Sequence, residues 1–185
     1  LMEMAHVDLL SFSGHKMHAP KGVGVLYVRR GTAMRPFLLG GHQESGRRGG
    51  TENVPYIAGL ARACRLAGEH AADMGRIEGL RNWLEEEILR TVSHVEVNGR
   101  GVERTPNTLN MACHFIEGES ILYELNGHGI CASTGSACSS GSLEPSHVLK
   151  AMGVPFTAMH GSVRLSFSAY TTEADVKRIA EIFPK

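Results

Sequence analysis

The sequence lacks an excess of charge of either sign: 19 lysines and arginines stand against 19 aspartates and glutamates among its 185 residues. It also lacks a dense basic block, so the electrostatic footprint of a nucleic-acid or anionic-membrane binder is missing. No apolar run is long enough to span a bilayer, and no signal-peptide pattern opens the chain. The four cysteines, Cys64, Cys113, Cys131 and Cys138, form no CxxC pair, which argues against a disulfide framework and a zinc ligand set. Internal repeats and low-complexity tracts are absent too. What remains is a globular protein of one sizeable domain, or one and part of another. A reducing, cytoplasmic setting is the expectation, with no nucleic-acid or membrane partner.

The segments VDLLSFS (7–13) and GVGVLYVRR (22–30) are short, apolar and bounded by glycine and proline, and read as strands. The connection GHKMHAPKG between them is too short for a crossover helix and predicts an antiparallel pair. LLGGHQESGRRGGTENVP, rich in glycine and mixed in charge, reads as loop. From Pro55, which suits a first helical turn, Ile57, Leu60, Ala61, Cys64 and Ala67 recur at helical spacing, with Cys64 as core filler. Ile77, Leu80, Leu84 and Ile88 repeat the pattern. Strand NTLNMACHF, helix EGESILYELNGHG and strand ICAST follow. After a small-residue loop come helix EPSHVLKAMG, strand SVRLSFS and helix TTEADVKRIAEIF, with Thr171 as its cap. The alternation predicts an α/β protein: a first part over 1–54, connecting helices over 55–92 and an α/β lobe over 93–185.

Four features are suited to chemistry. Lys16 follows a strand pattern, between His15 and His18 and after Ser13 and Gly14. A lysine at a strand end can shed part of its water and act as a nucleophile, or simply decorate the turn. The loop SGRRGGTEN offers Arg47, Arg48 and Thr51 among glycines, where backbone amides and an arginine fork suit an anion such as phosphate. Arg164 lies inside an apolar strand and, if buried, needs an anionic partner, either a substrate carboxylate or a structural acid. Cys138 sits in STGSACSSGS (133–142), among small residues that give the backbone freedom and the core little bulk. That is the setting of an incidental surface thiol or of one that must travel.

Taken together, SFSGHKMHAPKGVGVLYVRR, GGHQESGRRGGTENVP and STGSACSSGSLEPSHVLKAMG closely resemble the NifS/IscS-type (group I) cysteine desulfurases of the class V aminotransferases. The resemblance runs over essentially the whole chain, in the family's order. It implies pyridoxal 5'-phosphate as cofactor and the fold type I, aspartate-aminotransferase-like architecture. Residues 1–54 would be the end of the large cofactor-binding domain, and 93–185 the small domain with a mobile cysteine loop. Lys16 would bond covalently to the cofactor, while Ser13 and His15 would bind its phosphate. Thr51 would reach the phosphate held by a neighbouring subunit, which implies a homodimer. Arg164 would grip the carboxylate of L-cysteine, and Cys138 would accept its sulfur as a persulfide. The sulfur would then pass to an Fe–S scaffold or another acceptor protein.

The resemblance takes up the family's chain at its lysine motif. A ring-stacking histidine and an aspartate for the pyridine nitrogen would therefore lie outside these 185 residues, and the site would be incomplete within them. Ala169 precedes Tyr170 where relatives often carry an arginine, which leaves Arg164 as the stronger carboxylate ligand. Two other readings remain: a pyridoxal-phosphate lyase or aminotransferase that ignores the loop thiol, a selenocysteine lyase included, and a non-catalytic fragment that docks onto partners.

Overall fold

A computed structural model describes residues 6–134 and 145–185. The chain divides into two compact units, Leu1–Ala71 and Ala72–Lys185. The helices read above as one connecting pair fall on either side of that division.

In the first unit, β1 (Leu9–Ser13) and β2 (Gly24–Val28) form an antiparallel hairpin in the register Leu9↔Val28 to Ser13↔Gly24. The short connection imposes this arrangement, as the sequence predicts. Arg29 ties the open end of the hairpin by donating to the Val7 carbonyl at 2.8 and 3.1 Å. A single 3₁₀ turn, Gly14–Met17, leaves β1 and ends at His18, whose φ is 65°. The one-turn α1 (Gln43–Gly46) is irregular, because Glu44 and Ser45 lie in the left-handed region at φ 50° and 58°.

Next comes α2 (Val54–His70). Asn53 caps it by accepting from the Tyr56 amide at 3.3 Å, and proline occupies the first turn. Its buried residues are Leu60 and Ala63, which pack with Ala19, Phe12, Met17, Val23 and Val25 beneath the 3₁₀ turn. This departs from the expected stripe. Ile57 and Cys64 are exposed, so Cys64 is not core filler, although its thiol lies 3.8 Å from the Met17 sulfur. Alanines and glycines on several faces of α2 blur the apolar stripe, and the packed side is set by the hairpin it covers.

The second unit is built on an antiparallel sheet of order β3-β4-β5, from Val95–Val97, Thr108–Cys113 and Ser162–Ser166. α3 (Met74–Thr91) and α7 (Glu173–Ile182) cover one face. Ile77, Leu84 and Ile88 of α3 are fully buried against Leu109, Met111, Leu165 and Val176. Each such side chain contributes roughly 1.5–3 kcal/mol by leaving water. The two short helices α5 (His147–Ala151) and α6 (Phe156–Met159) supply a smaller cluster around Ala112 on the other face. α4 (Gly118–Gly127) joins β4 to the stretch before Cys138 and buries Leu125 against Ile130 and Ile182.

Three details differ from the sequence reading. ICAST is no strand, since it forms one isolated bridge, Ser133↔Arg164. β3, three residues long, has too short an alternation to be read from sequence. The cap of α7 is Thr172, not Thr171. Its hydroxyl accepts from the Asp175 amide at 3.2 Å, and the Asp175 carboxylate accepts from the Thr172 amide at 2.8 Å.

Candidate functional site

Ser13, His15 and Lys16 come together because β1 ends in a turn that only glycine permits. Gly14 is buried, and its amide donates to the Val23 carbonyl at 2.9 Å. A Cβ placed on Gly14 would lie 2.9 Å from that same oxygen and 3.1 Å from a Leu60 methyl. The backbone is thus pressed onto the hairpin and α2, and the side chains on either side of Gly14 project outward.

Lys16 is exposed, and among the described residues its ammonium has no hydrogen-bond or ion-pair partner. The partial desolvation expected at a strand end is therefore not supplied by the first unit. An exposed, unpartnered amine with a hydroxyl and an imidazole in the same turn suits a ligand that carries an aldehyde and a phosphate. By that donor set, the residues fit pyridoxal phosphate.

Thr51 stands in the same unit, exposed, after Gly50 (φ 100°) and just before α2. The loop leading to it closes on itself: the Gly49 amide donates to the Leu38 carbonyl at 2.7 Å, so that amide is already used. Arg48 bonds the Gly49 carbonyl through Nε at 3.0 Å. Arg47 and Arg48 are both exposed.

Arg164 belongs to the second unit. Its amide and carbonyl both bond to Ser133, at 2.7 and 3.1 Å, and its cross-strand partner is Asn110. The side chain is half-buried, and its Nε is shielded from solvent with no hydrogen-bond partner among the described residues. Among the described residues no carboxylate pairs with it. An unpaired guanidinium nitrogen away from water is costly unless an anion completes it.

Sequence reasoning missed the group beside Arg164. The Asn98 amide nitrogen donates to Asn110 Oδ1 at 2.6 Å, and the Ser162 hydroxyl approaches the same oxygen at 3.4 Å. The signal was present in β4, where Thr108 and Asn110 alternate with buried Leu109 and Met111. Its meaning depends on the register with β5, which the sequence does not display.

Cys138 lies outside the described residues. Of the other thiols, Cys64 and Cys131 are exposed, whereas Cys113 is buried and burial pushes it up to about 11. A thiol held neutral in this way is a structural filler and no nucleophile at ordinary pH. Among the described residues no group of three histidine, cysteine or acidic side chains is placed to hold a metal. No helix there is long and apolar enough to cross a membrane.

The chain is similar to known proteins over nearly its whole length. The chain is 55% identical over 185 residues to a cysteine desulfurase of Trichormus azollae, covering all of this chain and 46% of that protein. It is 53% identical over 186 residues to the cysteine desulfurase NifS of Azotobacter vinelandii, covering 99% and 46%. Among solved structures, a NifS-like protein superposes with a TM-score of 0.87 at 36% identity, over 99% of this chain and 47% of that one. A NifS-like protein from Rickettsia africae ESF-5 gives 0.84 at 31%, over 95% and 46%. The chain spans about half the length of the curated relatives it matches. The fold is therefore that of the α/β, pyridoxal-phosphate-dependent fold type I enzymes. With the aminotransferase class-V profile matching residues 2–179, the chain belongs to the aminotransferase class-V family, whose cofactor is pyridoxal phosphate.

Proposed function

We propose that these residues serve in a cysteine desulfurase, which converts L-cysteine to L-alanine and leaves the sulfur as a persulfide on Cys138. The observation that carries this reading is the unpartnered Lys16 amine, projected from one turn with Ser13 and His15, in a chain similar to named cysteine desulfurases.

Pyridoxal phosphate, when bound, supplies an aldehyde for amines and a ring that draws electrons from the substrate's Cα. Lys16 would hold the cofactor through its Nζ, and the same amine would move the proton at the substrate's Cα. The Ser13 hydroxyl and the His15 imidazole donate to the phosphate. Thr51 serves the phosphate held by a second copy of the chain, in a homodimer. The Arg164 guanidinium takes the substrate carboxylate as a fork of parallel donors.

The Cys138 thiolate attacks the substrate sulfur. An S–S bond forms as the substrate's Cβ–S bond breaks, the electron pair stays with carbon, and alanine leaves after protonation. A segment of small residues, SACSSGS, suits a thiol that must face both the substrate and an outside acceptor. The acceptor is an Fe–S scaffold or another sulfur-accepting protein, and the setting is cytoplasmic.

The test is to supply L-cysteine and pyridoxal phosphate and follow alanine, sulfide and persulfide together. The reading expects Cys138→Ser to abolish all three. Undiminished turnover of cysteine in Cys138→Ser would instead indicate a lyase or aminotransferase of the same fold that leaves the thiol unused.

A further inference from the structure

Arg164 has its backbone amide and carbonyl turned to Ser133, so toward β4 it forms a non-hydrogen-bonded pair with Asn110. In such pairs the Cα atoms are only about 4.5 Å apart and the side chains lie on the same face, closer than elsewhere in an antiparallel ladder. Asn110 is thus the nearest cross-strand neighbour of the guanidinium stem. It carries an amide oxygen, an acceptor that a guanidinium with a shielded, unpaired Nε would ordinarily take.

That oxygen is already engaged. Asn98 donates to Oδ1 at 2.6 Å, and Ser162 Oγ stands 3.4 Å from it, which accounts for both lone pairs. The Asn110 nitrogen faces the Val163 carbonyl at 3.5 Å. Asn98, one residue past β3, and Ser162 and Val163 on β5 therefore fix the orientation of one amide. We infer that Asn110, locked by Asn98 and Ser162, is a positioning residue that keeps Arg164 unsatisfied by the described residues and so available to an external carboxylate. The inference rests on the reading in which Arg164 takes the substrate carboxylate. It adds the reason that the arginine stays open: the group opposite it is neutral and its acceptor is already used. An aspartate at the same place would close a fork onto the arginine, because carboxylate and guanidinium match bidentately.

The test uses the protein with ¹⁵N-labelled arginine, and sodium acetate as the carboxylate probe against sodium chloride at equal ionic strength. The Arg164 Nε resonance is followed in the wild type, in Asn110→Asp and in Asn98→Ala, with amide spectra checking that each variant is folded. Wild type is expected to shift saturably with acetate. Asn110→Asp is expected to lose the response, with apparent affinity down at least tenfold. Asn98→Ala frees the Asn110 oxygen for Arg164 and is expected to weaken acetate several-fold, although residue 98 does not itself pair with the arginine. A responsive wild type whose acetate affinity is matched by both folded variants overturns the inference alone. An Arg164 resonance indifferent to acetate in the wild type removes the carboxylate reading, and the inference with it.

Discussion

The Gly14 amide bonds the Val23 carbonyl at 2.9 Å, and a side chain on Gly14 would meet that same oxygen at the same distance. One backbone contact thus fixes both the turn that carries Lys16 and the residue type at its start. Gly14→Ala forces the turn off the hairpin, because the carbonyl, Ala19 and Leu60 all crowd the new methyl. Overpacking of this kind costs about 1–3 kcal/mol. The expected outcome is a lower unfolding midpoint for the first unit and weaker pyridoxal-phosphate binding, read by denaturation and by cofactor absorbance. Unchanged cofactor binding would show that the placement of Lys16 does not depend on this contact.

The start of α7 makes a pH-dependent contribution. The Thr172 amide and hydroxyl both donate to the Asp175 carboxylate, and these bonds hold its pKa below the usual aspartate value. The folded state therefore favours the ionised carboxyl. Its contribution is complete above the ordinary aspartate range and is lost as pH falls through the lowered folded value. Thr172→Ala should cost about 1 kcal/mol near neutrality, and less in acid. Thermal melts of both proteins at neutral and acidic pH check this; a gap that widens in acid contradicts it.

Glu85 holds the β3–β4 connection to α3. Its carboxylate is almost fully buried and accepts from Arg104 at 2.7 Å while pairing with Arg100 at 3.2 Å. Glu85→Ala leaves Arg104 shielded without its counterion and should destabilise the second unit by about 3 kcal/mol. Urea denaturation measures it. A loss below about 0.5 kcal/mol, the usual range for a surface site, would mean that the connection is not anchored there.

The three described cysteines should separate by reactivity. Cys64 and Cys131 are exposed, while the Cys113 thiol is buried with its pKa raised to about 11. At pH 8 a maleimide is expected to label Cys64 and Cys131 in the native protein, and Cys113 only after denaturation. Rapid native labelling of Cys113, located by peptide mapping, would contradict the packing of β4.

Much of the fold was legible wherever local chemistry decides it. The nine-residue connection GHKMHAPKG allowed only an antiparallel hairpin, and the apolar repeat of Ile77, Leu84 and Ile88 marked the packed face of α3. Reading failed where a partner element decides. The packed side of α2 is chosen by the hairpin, so Leu60 and Ala63 are buried and Cys64 is not. ICAST has a strand-like composition, but its pairing with β5 is limited to Ser133. Of the candidate residues, Lys16 in the first unit and Arg164 in the second were visible as residue types out of place in their patterns. Asn98, Asn110 and Ser162 were not, because the convergence of Asn98 and Ser162 on the Asn110 oxygen appears only once the strand register is fixed.

Borohydride trapping with pyridoxal phosphate, followed by peptide mapping, tests whether Lys16 is the cofactor lysine. The expected result is a reduced adduct confined to Lys16 and absent from Lys16→Ala. An adduct spread over Lys21, Lys150, Lys177 and Lys185, or one that survives in Lys16→Ala, would contradict it.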